Sequence, residues 1–109
     1  MTEVSFDDWG KLDLRVGKIL EVENHPNADK LFVLKVDIGE EKPRTVVSGL
    51  IGHYSAEDLT GKEVVVFTNL APIDLRGVKS EGMVLAACKG DKVVLLSPEN
   101  SIDAGTRIS

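Results

Sequence analysis

Along most of this chain apolar and polar residues alternate with a period of two. Leu14, Val16, Leu20 and Val22 share one parity, which predicts a half-buried strand over 13–23. Lys18 interrupts that pattern and Ile19 falls on the other face, so Gly17 is expected to supply a bulge or bend. A second strand carries Phe32, Leu34, Val36 and Ile38 on one face, and a third over 44–48 stops at Gly49. The fourth, over 63–68, is nearly continuous valine with Phe67, as expected near the middle of a core. A fifth over 84–88, a short sixth over 92–96 and an edge strand at 106–108 complete the pattern. Helical signals are brief. Ser5, three residues before Asp8, resembles a capping box and opens a short helix carrying Phe6 and Trp9; Ser55 caps one or two turns before Gly61. A helix as short as the first is marginal alone, so Phe6 and Trp9 are expected to dock on the body or on a second chain.

Three strands, a short helix and two more strands are the order of an OB-fold. The expectation is therefore all-β with short helices: a five-stranded barrel with an N-terminal helix and a C-terminal extension. That fold binds oligonucleotides with the face of strands two and three and with two loops, one after strand one and one between strands four and five. The two most distinctive loops of this chain occupy those places. Residues 24–30 (Asn24-His25-Pro26-Asn27-Ala28-Asp29-Lys30) form a turn by composition. Over 69–83, Pro72 lacks a backbone donor and Gly77 and Gly82 allow angles closed to other residues, which predicts a shaped loop and not a helix. Arg76 and Lys79 make it positive, and Asn69 and Ser80 add short-range donors and acceptors. Barrels of this size host many functions, and a long connection with solvated charges is the plain alternative.

The 109 residues read as one domain, 1–109, with 42% apolar and 28% charged residues as in ordinary globular proteins. No apolar run approaches the roughly 20 residues that cross a bilayer, so no membrane partner is expected. Glu3 stands where a secretion signal carries basic charge, and the single Cys88 suits a reducing compartment; both predict a cytoplasmic protein. A formal charge of −5 argues against nucleic acid, but placement matters more than the sum. Acids dominate up to Asp29, whereas from Lys30 to Lys89 cations equal acids in number, so a surface with one acidic and one basic face is expected.

The run LDLRVGKILEVENHPNADKLFVLKVDIGEEKPRTVVSGL, followed by NLAP…LRGVKSEGMVLAA, resembles the tRNA-binding domain appended to methionyl-tRNA synthetases. The same module occurs in synthetase-associated auxiliary proteins and as a free-standing tRNA-binding protein. The likeness spans about 6–109. It implies an OB-fold without catalytic activity or cofactor that binds tRNA by shape more than by sequence. It also implies a homodimer when free-standing, or a methionyl-tRNA synthetase catalytic chain as partner. Lys30, Asn69, Ser80 and Met83 match the family's binding positions, with Arg44, Arg76 and Lys79 as the charged frame. Their chemistry agrees: Arg and Lys attract phosphates, Arg can grip two oxygens at once, and Asn and Ser can reach phosphate, ribose hydroxyl or a base edge. Met83 offers a soft apolar surface. Aromatic residues are only 5%, which favours backbone and shape recognition over base stacking.

Each assignment has a plainer counterpart. Lys30 can be a solvated lysine at a strand start, Arg44 and Lys42 solubilising charges around Pro43, Asn69 a strand-end group bonding backbone, and Met83 core. Phe32 and Phe67 read as core. Glu81 would repel phosphate and is expected to orient the loop through backbone or Arg76. His25, His53 and Cys88 fit no short zinc pattern, and no nucleophile–base arrangement is suggested, so neither a metal nor catalysis is expected. Two other functions share this architecture: a dimeric chaperone of the same barrel family, and an assembly domain tethering a synthetase. The Trp9 helix and the tail after Leu96 are the expected dimer interface.

Overall fold

The computed structural model describes residues 2–109. Its elements are α1 (Phe6–Gly10), β1 (Leu14–Asn24), β2 (Phe32–Asp37), β3 (Arg44–Ser48), α2 (Ala56–Leu59), β4 (Glu63–Phe67), β5 (Ile73–Leu75), β6 (Val78–Ser80), β7 (Met83–Val84), β8 (Ala86–Lys89), β9 (Lys92–Leu95) and β10 (Arg107–Ile108). The main sheet runs β3-β2-β1-β4-β7, antiparallel throughout, with β10 added to β1. It curls into a nearly closed five-stranded OB-fold barrel, and residues 80–82 complete the ring against β3. The Glu81 amide donates to Thr45 O at 2.8 Å. The otherwise open N–H groups of Thr45 and Val47 donate to Glu81 Oε1 and Ser80 Oγ at 3.1 and 3.0 Å. Side chains thus satisfy an edge that would otherwise invite another strand.

The parity of β2 is borne out: Phe32, Leu34 and Val36 are buried with Ile19, Val46, Leu50, Leu59, Val64 and Val66 in one core. The bulge in β1 is present, but its extra residue is Leu20, since Ile19 pairs with Val36 and Glu21 with Lys35. Leu20 is accordingly turned outward. Gly17 has another task. A Cβ there would lie 2.7 Å from both Val36 Cγ1 and Val66 Cγ2, so its bare backbone lets neighbouring strands pack their valines through the barrel centre.

Three further expectations are modified. The loop 69–83 contains a hairpin, β5–β6, whose tip Arg76-Gly77 has φ of 57° and 95°, as a two-residue type I′ turn requires. The fifth strand divides: β7 stays in the barrel beside β4, and β8 leaves to pair with β9. Finally, Phe6 is 84% exposed and Trp9 42%, so α1 does not bury them on the body. Ser5 and Ser55 cap the two helices as expected, accepting from Asp8 N and Asp58 N.

Candidate nucleic-acid interface

The first loop and the β5–β6 hairpin come together at one end of the barrel. His25, at 6% exposure, places Nε2 2.8 Å from Leu75 O, and its Nδ1 accepts from Asn27 N at 2.9 Å. Asn27 Nδ2 donates to Arg76 O at 3.1 Å. Lys30 and Arg76, both exposed, thus sit on loops that are hydrogen-bonded to each other. Lys79, opposite Asp74 on β6, turns into an open groove of about 790 Å³ between the hairpin and β3. Lys35, Lys42, Arg44 and Lys79 line it against Glu40, Glu41 and Glu81, with Leu70 and Pro72 as apolar floor.

Four cations against three carboxylates is a mild excess, and hydrogen bonding changes the balance. Arg44 Nε and Nη2 grip both Glu40 oxygens at 2.9 Å. Its Nη1 donates to Thr68 O and Glu81 O. The bond from Arg44 holds the Glu40 carboxyl below the usual carboxylate range against the opposing effect of burial. Glu81 meets the expectation of bonding to backbone, through Thr45 N. Lys35 Nζ donates to Thr45 Oγ1 at 2.6 Å, while Lys30, Lys42, Arg76 and Lys79 have no side-chain hydrogen-bond or ion-pair partner among the described residues.

The remaining candidates are engaged inside the protein. Asn69 is exposed, yet its Oδ1 accepts from Asp13 N at 2.8 Å and its Nδ2 donates to Lys11 O at 2.6 Å, fastening the entry of β1 to the end of β4. Ser80 is 1% exposed; its hydroxyl accepts from Val47 N and donates to Gly82 O at 2.8 Å. Met83 is half-buried opposite Phe67. The structure therefore gathers Arg44 and Lys79 at the groove, and Lys30 and Arg76 at the joined loops, while Asn69 and Ser80 shape the backbone between.

Sequence reasoning passed over Lys35 as a groove cation and His25 as a loop anchor. Lys35 was recoverable, since it has the outward parity on β2, on the face this barrel uses for ligands. His25 had no such signal, because its partner carbonyl lies 50 positions away.

A nearly closed antiparallel barrel of five strands, with two loops joined at a cation-bearing mouth, is the architecture of an OB domain. The chain belongs to the family described as "Putative tRNA binding domain", whose model matches residues 14–107. It is 55% identical over 108 residues to a methionine–tRNA ligase of Thermococcus kodakarensis, covering 99% of this chain and 14% of the ligase. The chain thus spans about a seventh of the length of the curated relatives it matches. The crystal structure of a "MetRS related protein" from Pyrococcus horikoshii superposes with a TM-score of 0.91 at 32% identity, covering 100% of both chains. That of the chaperone CsaA from Bacillus anthracis gives 0.89 at 33% identity, covering 99% of this chain and 100% of the other.

Proposed function

We propose that this chain is a non-catalytic tRNA-binding module that holds folded RNA by its sugar-phosphate shape. It acts as a homodimer or as the tRNA-binding part of a methionyl-tRNA synthetase. One observation carries the proposal: Lys30, Arg76 and Lys79 present unpaired cationic heads from two interlocked loops at the mouth of a barrel of this family. Those three contact phosphates, with Lys35 and Lys42 extending the track along the groove. Arg44, Asn69 and Ser80 act by holding the mouth in shape, and Met83, half-buried opposite Phe67, adds a soft apolar surface. Phe32 is buried, which removes one aromatic from base stacking and supports shape-led recognition. The apolar side chains of Val4, Phe6 and Trp9, left uncovered on α1 and its approach, support self-association through that end.

Filter binding of bulk tRNA to the Arg76→Ala/Lys79→Ala double variant tests the site. Affinity falls, and the slope of log affinity against log salt flattens by about 0.7–0.9 for each phosphate that is no longer neutralised. Wild-type affinity and slope in the variant would remove the hairpin from the interface. Sedimentation of the wild-type chain in the same buffers reads its oligomeric state.

A second reading, capture of unfolded polypeptide, is favoured by the likeness to the chaperone CsaA and by the mixed charge of the groove. Competition between an unfolded polypeptide and tRNA for one chain separates the two.

A further inference from the structure

We infer that His25 and Asn27 are positioning residues for RNA binding: they fasten the first loop to the tip of the β5–β6 hairpin, so that Lys30 and Arg76 meet the ligand as one unit. The inference rests on the RNA-binding reading of these loops.

His25 is buried within a turn whose neighbours Pro26, Asn27, Asp29 and Lys30 are more open to solvent. A polar ring is buried at a cost unless its nitrogens are bonded, and both are. A carbonyl only accepts, so the contact of Nε2 with Leu75 O requires a proton on Nε2. Nδ1 receives the N–H of Asn27 and must therefore be bare. The two bonds select one neutral tautomer, and that tautomer joins both loops. The base of the first loop is closed as well, by His25 N donating to Leu31 O at 3.0 Å.

The hairpin needs this support. Its strands are three residues each, too short to stand alone. The end near Ser80 is tied into the barrel through Val47. The tip's hydrogen bonds to the rest of the chain, among the described residues, are those from His25 and Asn27 to two successive carbonyls, of Leu75 and Arg76. Gly77 is required by its φ of 95° and not by the approach of Asn27, since a Cβ there would stand 3.5 Å from Asn27 Nδ2, an ordinary contact. With the tip fixed, the backbone that carries Arg76 is set relative to the Lys30 loop before any ligand arrives. Two cations carried on backbones tied together bind a phosphate chain with less of the ordering cost that two independent loops would bear.

The test measures tRNA affinity at several salt concentrations for the intact chain and for His25→Leu, His25→Gln, Asn27→Ala, Arg76→Ala and His25→Leu/Arg76→Ala. Affinity is expected to fall about tenfold in His25→Leu and about threefold in Asn27→Ala, because ordering a loose tip costs more than the Arg76–phosphate contact returns and that contact is largely given up. His25→Gln keeps an N–H for Leu75 O and recovers most of the loss. His25→Leu flattens the salt slope as Arg76→Ala does, and the double variant is hardly worse than Arg76→Ala alone, because both changes act on the same Arg76–phosphate interaction. A merely architectural role for His25 would lower the unfolding midpoint, leave the slope unchanged and add in full to Arg76→Ala; that result overturns the inference. If His25→Leu fails to fold, Asn27→Ala decides by the same slope and by its own double with Arg76→Ala. If Arg76→Ala and Lys30→Ala both leave tRNA binding untouched, the RNA reading falls and the positioning role falls with it. Amide exchange at Asn27 then still shows whether the loops part in His25→Leu.

Discussion

Arg76 is, among the described residues, the one non-glycine with positive φ, at 57°. A side chain in the left-handed region costs roughly 1–2 kcal/mol, and Asn or Gly is the usual occupant of the first position of such a turn. A strained residue whose head has no partner within the fold is consistent with selection for its charge. Arg76→Asn is therefore expected to stabilise folding, by about 0.5–1 kcal/mol in urea titration, while weakening tRNA binding. A variant that is less stable yet binds tRNA normally would contradict this. Asn69 and Ser80 teach the opposite lesson. Their chemistry suits RNA equally well, but their polar atoms are engaged by Asp13, Lys11, Val47 and Gly82.

At the scale of elements, the decisive feature is the seam where 80–82 meets β3. Ser80 supplies the acceptor for a buried amide, and Gly82, at φ 138°, passes so near β4 that a Cβ would lie 2.9 Å from Phe67 O. Ser80→Ala leaves the Val47 N–H unpaired in the interior and should destabilise the protein by about 1–3 kcal/mol, read as a lower urea midpoint at unchanged slope. An unchanged midpoint would mean that the seam does not depend on that hydroxyl. The strands of the main sheet were legible because their runs are long enough for parity to be counted. The β5–β6 hairpin was not: three residues on either side of an Arg-Gly tip carry neither a countable period nor a usual turn signature.

Across the molecule, several carboxylates are held by local partners. Arg107 and Arg15 face each other across β10 and β1, Arg15 Nε bonds Asp13 at 2.9 Å, and Arg44 holds Glu40. The hydrogen bond from Arg15 keeps the Asp13 carboxyl below its ordinary value of 3.8, with the charges of Arg15 and Arg107 assisting. Arg44 does the same for Glu40 and Ser101 for Glu63, from an ordinary 4.5. Each folded value lies under the unfolded one, so this stabilisation is complete above the ordinary values and is lost as pH falls through the lower folded ones. Through these three carboxylates the urea midpoint should decline as pH falls below about 4. Asp13→Asn should lower the midpoint at pH 7 and blunt the acid decline. A midpoint that climbs on acidification would refute the assignment. No helix among the described residues is long and apolar enough to cross a membrane.

By itself the amino-acid order determined the strands of the barrel, its two short capped helices, and the two loops in which chemistry would collect. Alternation, caps and turn residues are local, and each acts within a few positions of itself. Only the tertiary structure decided which polar groups stay free. Asn69 and Lys30 are both exposed polar residues in candidate loops, but one is bound to residues more than 50 positions earlier and the other is not. Hydrogen-bond partners brought together by barrel closure leave no trace in local pattern, and they separate the residues that shape this mouth from those that project from it.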